Sequence, residues 1–292
     1  MSVVVAAVMI IIAGLLMRAW AAVLRAQVPV QTRAVTVGKN APNCGDDIPK
    51  VIWTYSPQAP VPTFIKACVA NWRRHAPDHE VRVLDRDSLL QWVTTLRDDF
   101  DALSFARQSD WLRLQLLARH GGVWMDASTL LSRDLDWLHD LRSNKKAQYV
   151  GFYLDRDSKR PDRPAIETWF MASAPRSSFV TALATVLDRL MAAGAEAPLQ
   201  AAVAEQLDLA AKAHRLALLR AEDGPSAWLA AVGWRPRYHY ARIALTHAPL
   251  RLPALLRLRE NDRAITERNW LKGRFLSGSA LVELLGRPRD RR

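Results

Sequence analysis

The stretch SDWLRLQLLARHGGVWMDAS, residues 109–128, decides the fold of this chain. Residues 109–120 repeat apolar side chains at helical spacing, with Ser109 as the predicted N-cap, and the Gly121-Gly122 pair stops the helix. The residues that follow, VWMD, are apolar up to Asp126, so they predict a buried strand that ends in a carboxylate. A helix, a tight turn and a buried strand in this order are typical of an α/β protein.

Short apolar segments alternate with helical patterns on both sides of this stretch. The predicted strands are residues 50–55, 79–85, 148–154 and 167–171. The predicted helices are residues 63–75, residues 87–96 with Asp87 as N-cap, and an Ala- and Leu-rich run from about 175 to 220. The alternation predicts a mixed, mostly parallel sheet with flanking helices. One domain would span residues 48–292, with a basic, helical part from about residue 175.

The N-terminal residues form an apolar segment long enough to span a membrane. Residues 2–24 carry one charge, at Arg18, and about 20 apolar residues cross the hydrocarbon core of a bilayer. A cleaved signal peptide is the alternative, but it requires a basic residue before the apolar core, whereas Arg18, Arg25 and Arg33 follow it. Residues 1–25 are therefore predicted to be a single retained transmembrane helix, and residues 26–47, which are polar with two prolines, a stalk.

The same arginines predict the orientation of the anchor. Basic residues favour the cytoplasmic side, so the domain is expected on the cytoplasmic face of the inner membrane. A lumenal domain needs the opposite orientation, and a charge bias at a single span leaves that alternative open.

Composition excludes several classes of protein. Half of the 292 residues are hydrophobic, which excludes a disordered chain, and Cys44 and Cys68 cannot make a disulfide framework or a zinc module. Most of the formal charge of +12 arises beyond residue 200, and it suits anionic lipid or an anionic glycan acceptor. Nucleic acid is the usual alternative for so basic a chain, but no nucleic-acid-binding motif accompanies the charge.

Three charged residues of residues 109–128 are candidates for chemistry. Asp110 and Arg113 are spaced i and i+3, so they share one helix face, in the predicted first turn where the helix N-terminus favours an anion. Asp126 ends a strand, at the sheet edge where α/β proteins collect ligands. The alternatives are a local ion pair between Asp110 and Arg113, and a turn-capping role for Asp126.

Four segments resemble the capsular polysaccharide synthesis protein family, which is itself similar to glycosyltransferase family 32 with its DXD signature. They are IPKVIWTY (48–55), NWRRHAP (71–77), SDWLRLQLLARHGGVWMDAS (109–128) and ETWFMAS (167–173), and together they cover roughly residues 48–175. The resemblance implies a Rossmann-like sheet of the glycosyltransferase-A type, a nucleotide-sugar donor and retention of anomeric configuration.

The resemblance also implies roles for individual residues. Trp53 and Thr54 would lie near the nucleotide base, and Asp110 would bind hydroxyls of the donor sugar. Arg113 would neutralise the diphosphate or hold the sugar. Asp126 would be the first Asp of the DXD motif, near the ribose and the metal.

The chain departs from the DXD pattern at Ser128, because a hydroxyl is a poorer ligand for a hard cation than a carboxylate. Either Mn²⁺ or Mg²⁺ is held weakly through Asp126 and the diphosphate, or another residue compensates. His247 is a further candidate metal ligand, although a lone histidine is more often structural.

Taken together, these features predict a membrane-anchored glycosyltransferase. It would transfer sugar from a nucleotide-sugar donor to a growing capsular or other surface polysaccharide or a lipid-linked glycan. A non-catalytic, membrane-anchored scaffold of a polysaccharide assembly complex is the alternative that Ser128 leaves open, and a membrane-linked nucleic-acid binder is the third.

Overall fold

The computed structural model describes residues 3–25, 28–29, 31–42, 46–158, 160, 163–196, 198–247 and 251–288, so Cys44 lies outside the described residues. The strands are β1 (Ala34–Val37), β2 (Val51–Tyr55), β3 (Glu80–Leu84), β4 (Gly122–Met125), β5 (Leu130–Leu131), β6 (Tyr149–Leu154), β7 (Ala165–Ser173), β8 (Leu216–Arg220) and β9 (Leu255–Leu256). The helices are α1 (Val3–Arg25), α2 (Thr63–His75), α3 (Phe105–His120), α4 (Asp136–Lys145), α5 (Ser178–Ala192), α6 (Pro198–Ala213), α7 (Ala227–Ala231), α8 (Pro236–Ala244), α9 (Glu260–Leu271) and α10 (Ala280–Leu285).

Seven of these strands form one sheet in the order β1-β8-β6-β7-β4-β2-β3, and β5 pairs with β9 separately. Within the large sheet β2, β3, β4, β6 and β8 run in one direction, whereas β1 and β7 run against them. The predicted mixed, mostly parallel sheet is therefore confirmed. Because β2 and β4 are parallel neighbours, their carboxyl ends meet at the same edge of the sheet.

Helices cover both faces of the sheet. On one face α3, α5 and α6 pack against strand residues such as Trp53 and Trp124. On the other face α2, α7, α8 and α10 pack against residues such as Ile52 and Val123. Strands buried on both faces favour apolar residues, and all five residues of β2 are buried, with Thr54 among four apolar or aromatic residues.

The turn between α3 and β4 has room only for glycine. Gly121 ends α3 at φ 64°, and a Cβ atom there would lie 2.6 Å from the backbone nitrogen of Pro175. Gly122 has φ 97°, and a Cβ atom there would lie 2.5 Å from a methyl carbon of Val51. The predicted helix stop at this pair is confirmed, and it delivers β4 directly beside β2.

The start of α3 differs from the prediction. The helix begins at Phe105 with Ser104 as N-cap, since the Ser104 hydroxyl accepts a hydrogen bond from the backbone N–H of Arg107. Asp110 and Arg113 therefore lie beyond the first turn, where the helix N-terminus has little effect. The prediction of Ser109 as N-cap was wrong because Ser109 is a buried residue of the helix interior.

The predicted helix over residues 87–96 is also wrong. Leu89–Gln91 form a single 3-10 turn. Asp85 and Ser88 hydrogen-bond each other: the Asp85 carboxylate accepts from the Ser88 backbone N–H at 2.9 Å, and the Ser88 hydroxyl accepts from the Asp85 backbone N–H at 3.0 Å. This local pairing stabilises a turn in place of a helix.

Two segments join the sheet where other structure was expected. Residues 216–220 are strand β8, parallel to β6, although the leucine-rich run predicted helix up to about residue 220. Residues 34–37, placed in the stalk, are strand β1, which pairs antiparallel with β8. The backbone N–H and the guanidinium of Arg33 bind the carboxylate of Asp223 next to this pairing, so the folded domain begins about a dozen residues earlier than predicted.

Helix α1 has the dimensions of a membrane span. Its residues Val4–Ala21 have a mean hydropathy of 2.3 and none of that window is buried against the domain. Length and composition therefore permit the predicted transmembrane helix, and α1 also contacts α7 and α8.

Candidate functional site

A cleft of about 710 Å³ opens at the carboxyl ends of β2 and β4. The first half of α3 forms one wall, and the segment leading into α9 forms the opposite wall. Thr168 and Trp169, in the middle of the antiparallel strand β7, form its floor. The cleft is lined by Thr54, Tyr55, Phe105, Asp110, Arg113, Trp124, Asp126, Ser128, Thr168, Trp169, Arg257 and Arg259, among others.

Arg113 joins the two predicted carboxylates at the centre of the cleft. Its Nη2 atom lies 3.1 Å from Asp110 Oδ1 and 3.5 Å from Asp126 Oδ1. Its Nε donates to the carbonyl of Ser109 at 3.2 Å, and its Nη1 donates to the carbonyl of Thr168. The Arg113 side chain is only 6% exposed, so most of its donors are engaged within the protein.

The two carboxylates differ in environment. Asp110 is 19% exposed, and burial raises its pKa above the usual range, against the opposing effect of Arg113. Asp126 is 44% exposed, and its Oδ1 accepts a hydrogen bond from the Trp124 indole at 3.1 Å. The backbone N–H of Asp126 donates to the carbonyl of Trp169 at 2.8 Å, which fixes the strand end. Asp126 is therefore the more accessible acid.

Ser128 lies in the cleft wall with its hydroxyl engaged. Its Oγ donates to the carbonyl of Leu258 at 2.9 Å, and the side chain is buried. This bond ties the loop after β4 to the segment that connects β9 and α9. The antiparallel pairing of β5 with β9 joins the same two parts of the chain.

Arg257 enters the cleft from that connecting segment. Its Nη1 binds the carboxylate of Glu167, and its guanidinium lies 5.4 Å from the ring of Trp169. Glu167 also accepts a hydrogen bond from the Trp169 indole at 2.7 Å. Burial lowers the pKa of Arg257 to about 10, which leaves the group protonated at neutral pH, and the nearby Asp126 carboxylate opposes that shift.

Arg259 follows two residues later and is held by Asp262. The Asp262 carboxylate accepts from the backbone N–H of Arg259 at 3.2 Å and faces its Nε at 3.4 Å. His239 lies 3.6 Å from the other oxygen of Asp262, and both side chains are buried. The guanidinium of Arg259 lies 4.9 Å from the ring of Trp234.

Of the two residues predicted to bind the nucleotide base, only Thr54 lies in the cleft. Thr54 lines the cleft, and its hydroxyl is buried with no hydrogen-bond partner among the described residues. Trp53 does not line the cleft: it packs 5.2 Å from the ring of Trp92 on the α3 face, and its indole donates to the carbonyl of Gly121 at 2.9 Å. Thr54 and Tyr55 are the last two residues of β2 and both line the cleft, whereas Trp53 lies further from the strand end.

His247 lies away from the cleft. Its backbone forms an isolated bridge with Ser279, and its ring lies against Gly278, so it does not join Asp126.

The side chains of the cleft do not fit a divalent cation. Within the described part of the chain, no three His, Cys, Asp or Glu side chains are grouped to hold a metal ion. Asp110 binds Arg113, and the Ser128 hydroxyl is engaged with a carbonyl. One oxygen of Asp126 remains, and Glu260 and Glu267 also line the cleft but do not form a set of three ligands with it among the described residues, whereas Mn²⁺ and Mg²⁺ prefer several oxygen ligands.

The family model of the capsular polysaccharide synthesis protein matches residues 17–192. The chain belongs to the capsular polysaccharide synthesis protein family. The predicted family is thereby confirmed, and its match ends before the segment that carries Arg257 and Arg259.

Two solved glycosyltransferase structures are similar to this member of the capsular polysaccharide synthesis protein family. The PaToxG glycosyltransferase has a TM-score of 0.40 and 13% identity, over 59% of this chain and 72% of its own. The apo-form glycosyltransferase GlyE of Streptococcus pneumoniae TIGR4 has a TM-score of 0.41 and 10% identity, over 73% of this chain and 54% of its own. A comparison with curated protein sequences finds no match.

Arg257 and Arg259 are among the cleft residues that the sequence did not predict in this family member. They lie about 130 residues after Ser128, and the basic residues beyond 200 were assigned to lipid or acceptor binding as a group. The one usable signal is the alternation in LRLRE (256–260), which places both arginines on the same side of an extended segment.

Proposed function

We propose that the chain is a membrane-anchored glycosyltransferase that uses a nucleotide-sugar donor. The acceptor would be a growing capsular or other surface polysaccharide or a lipid-linked glycan. The proposal rests on the convergence of Asp110, Arg113 and Asp126 in one cleft, in a chain whose family is named for capsular polysaccharide synthesis. The cleft opens at the strand edge where α/β sheets bind ligands.

The cleft has the size and surface for a nucleotide. A volume of about 710 Å³ falls in the range of small-molecule sites. At the β2 end, Tyr55 and Phe105 stack with their ring centroids 5.8 Å apart, and Phe105 is exposed. Aromatic faces of this kind stack on nucleotide bases. We therefore assign the base to the exposed ring of Phe105, which the buried ring of Tyr55 supports, at the end of β2 next to Thr54 and in place of Trp53.

The transfer chemistry suits the two carboxylates. The anomeric carbon–oxygen bond of the donor breaks, the nucleoside diphosphate leaves with the electron pair, and a new bond forms to the acceptor oxygen, whose proton passes to solvent water. Asp126 and Asp110 would accept hydrogen bonds from sugar hydroxyls and hold the anomeric carbon toward the acceptor. Retention of the anomeric configuration is proposed from the family resemblance alone.

The membrane placement follows from α1 and its flanking arginines. We propose a single retained span in the inner membrane with the domain on the cytoplasmic face, where nucleotide sugars are made. The span is supported by the exposed, apolar residues Val4–Ala21, and the orientation by Arg18, Arg25 and Arg33.

The experiment is a donor screen on the full-length chain in detergent micelles. UDP-glucose, UDP-galactose, UDP-N-acetylglucosamine, GDP-mannose and a CMP-sugar are incubated with the protein, with and without Mn²⁺, and release of the nucleotide is measured. We expect slow hydrolysis of donors of one nucleotide class. If the folded chain neither binds nor hydrolyses any of them, the non-catalytic scaffold becomes the better account.

A further inference from the structure

We propose that Arg257 and Arg259 bind the diphosphate of the donor, and that Ser128 holds the segment that carries them. The two guanidinium groups would supply the positive charge that stabilises the leaving group, a task that a DXD site gives to a divalent cation. This inference rests on the proposed function, because it names the residues that hold the donor in the same cleft.

Arg113 is not available for the diphosphate. Its Nε and Nη1 donate to backbone carbonyls, and its Nη2 faces Asp110 and Asp126. A phosphate that displaced these contacts would lie beside two carboxylates, whose negative charge repels it. Arg113 is therefore a positioning residue that fixes the two acids.

Arg257 and Arg259 each have guanidinium N–H groups that make no hydrogen bond within the described part of the chain. Arg257 uses Nη1 for Glu167, and its Nε and Nη2 have no hydrogen-bond partner among the described residues. Arg259 faces Asp262 through Nε, and both of its Nη atoms have no such partner within the same part of the chain. Both side chains line the cleft. A guanidinium group presents parallel N–H donors that match two phosphate oxygens.

The backbone directs both arginines to the same side. Leu258 lies between them and is buried, at 4% exposure. In an extended segment neighbouring side chains alternate, so the residues on either side of Leu258 face the cleft together. The aromatic rings of Trp169 and Trp234 lie beneath the two guanidinium groups, at 5.4 and 4.9 Å, and limit their motion.

Ser128 fixes this segment at the point between the arginines. Its hydroxyl donates to the carbonyl of Leu258 at 2.9 Å. The third residue of the Asp-Ala-Ser motif thus acts on the donor site through a hydrogen bond to the arginine-bearing segment. This explains why a hydroxyl at that position is compatible with a working donor site.

The test is calorimetric titration of the full-length chain in micelles, in EDTA and separately with Mn²⁺. The probes are UDP, GDP, dTDP and ADP, the matching monophosphates, and CMP. The variants are Arg257→Gln, Arg259→Gln and Ser128→Ala. Arg189→Gln is the control, since it removes the same charge from an exposed pair with Glu205. Thermal melts check that each variant folds.

We expect one nucleoside diphosphate to bind in EDTA. Its affinity should fall about tenfold or more in each cleft-arginine variant, by less in Ser128→Ala, and not in Arg189→Gln. The arginine substitutions should lower the affinity for the matching monophosphate by a smaller factor, because the monophosphate lacks one phosphate.

Three results would overturn the inference while the proposed function stands: binding that requires Mn²⁺ and ignores the arginine variants, equal losses for monophosphate and diphosphate, or binding of CMP alone. Binding of none of the probes, with or without Mn²⁺, would overturn both.

Discussion

Arg113 shows how single residues set the geometry of the cleft. Its guanidinium is buried among two backbone carbonyls and two carboxylates, and the helix α3 fixes its distance from Asp110. Removing one partner of a buried ion pair leaves the other charge without compensation, which costs far more than losing an exposed pair. Burial already raises the pKa of Asp110, so this acid depends on Arg113 for its charge.

Arg113→Gln should lower the free energy of unfolding by about 3 kcal/mol, because it leaves Asp110 charged and unpaired in a buried site. Adding Asp110→Asn to the same chain should restore part of the loss. Urea denaturation of the full chain in micelles measures both. The matched surface change Arg189→Gln should cost less than about 1 kcal/mol. Equal losses for Arg113→Gln and Arg189→Gln would show that the buried pairing does not matter.

The sequence predicted some of the individual residues that line the cleft. Asp110, Arg113, Asp126 and Ser128 are gathered in it, since one continuous segment carries all four from helix to strand end. Their roles stay predictions. Arg257 and Arg259 could not be paired with them, because the contact joins residues far apart in sequence and depends on the tie from Ser128 to Leu258.

The α3–β4 connection is the element that brings the helix wall to the sheet edge. Both glycines are in the left-handed region, and Gly121 additionally lies against the β7–α5 connection at Pro175. A side chain there meets two penalties, the strained φ and the steric overlap.

Gly121→Ala should therefore destabilise the chain more than Gly273→Ala. Gly273 has φ 66°, close to the 64° of Gly121, but a Cβ atom there would meet nothing within 4 Å. We expect Gly273→Ala to lower the free energy of unfolding by about 1–2 kcal/mol through backbone strain alone. Gly121→Ala should lower it by about 1–3 kcal/mol more, because its Cβ atom also overlaps neighbouring atoms. Denaturation midpoints compare the two. Equal midpoints would mean that the turn relaxes without cost.

Helices and strands bounded by proline or glycine were predictable from the sequence, and those without such boundary residues were not. Thr63–His75 lies between two prolines and is the helix that its pattern predicts. The leucine-rich residues 216–220 carry no such signal, and a short apolar run fits helix and strand equally until its neighbours in the sheet are known. The edge strand β1 is four residues long and polar on one side, so it resembled a stalk.

For the whole molecule, strand β1, which follows the apolar helix α1, and the cleft lie toward opposite edges of the sheet. Strand β1, which follows the anchor, is one edge of the sheet, whereas the cleft opens over β4 and β2 near the other edge. Strands β8, β6 and β7 lie between β1 and the cleft strands β4 and β2, whereas α1 itself contacts α7 and α8.

The orientation is testable with the full chain in cells. A C-terminal fusion to green fluorescent protein should fluoresce, and the matching fusion to alkaline phosphatase should be inactive, because the domain is expected in the cytoplasm. Both should sediment with the membrane and resist a high-salt wash. An active phosphatase fusion would place the domain on the other side.

The central claim is that Asp126 lies in a working donor site. The most direct measurement is release of the nucleoside diphosphate from the donor that the full chain hydrolyses, compared between the wild type, Asp126→Asn and the exposed control Asp157→Asn. We expect Asp126→Asn to keep its melting temperature and lose about a hundredfold or more in rate, with Asp157→Asn unchanged. A folded Asp126→Asn variant that releases product at the wild-type rate would contradict the account.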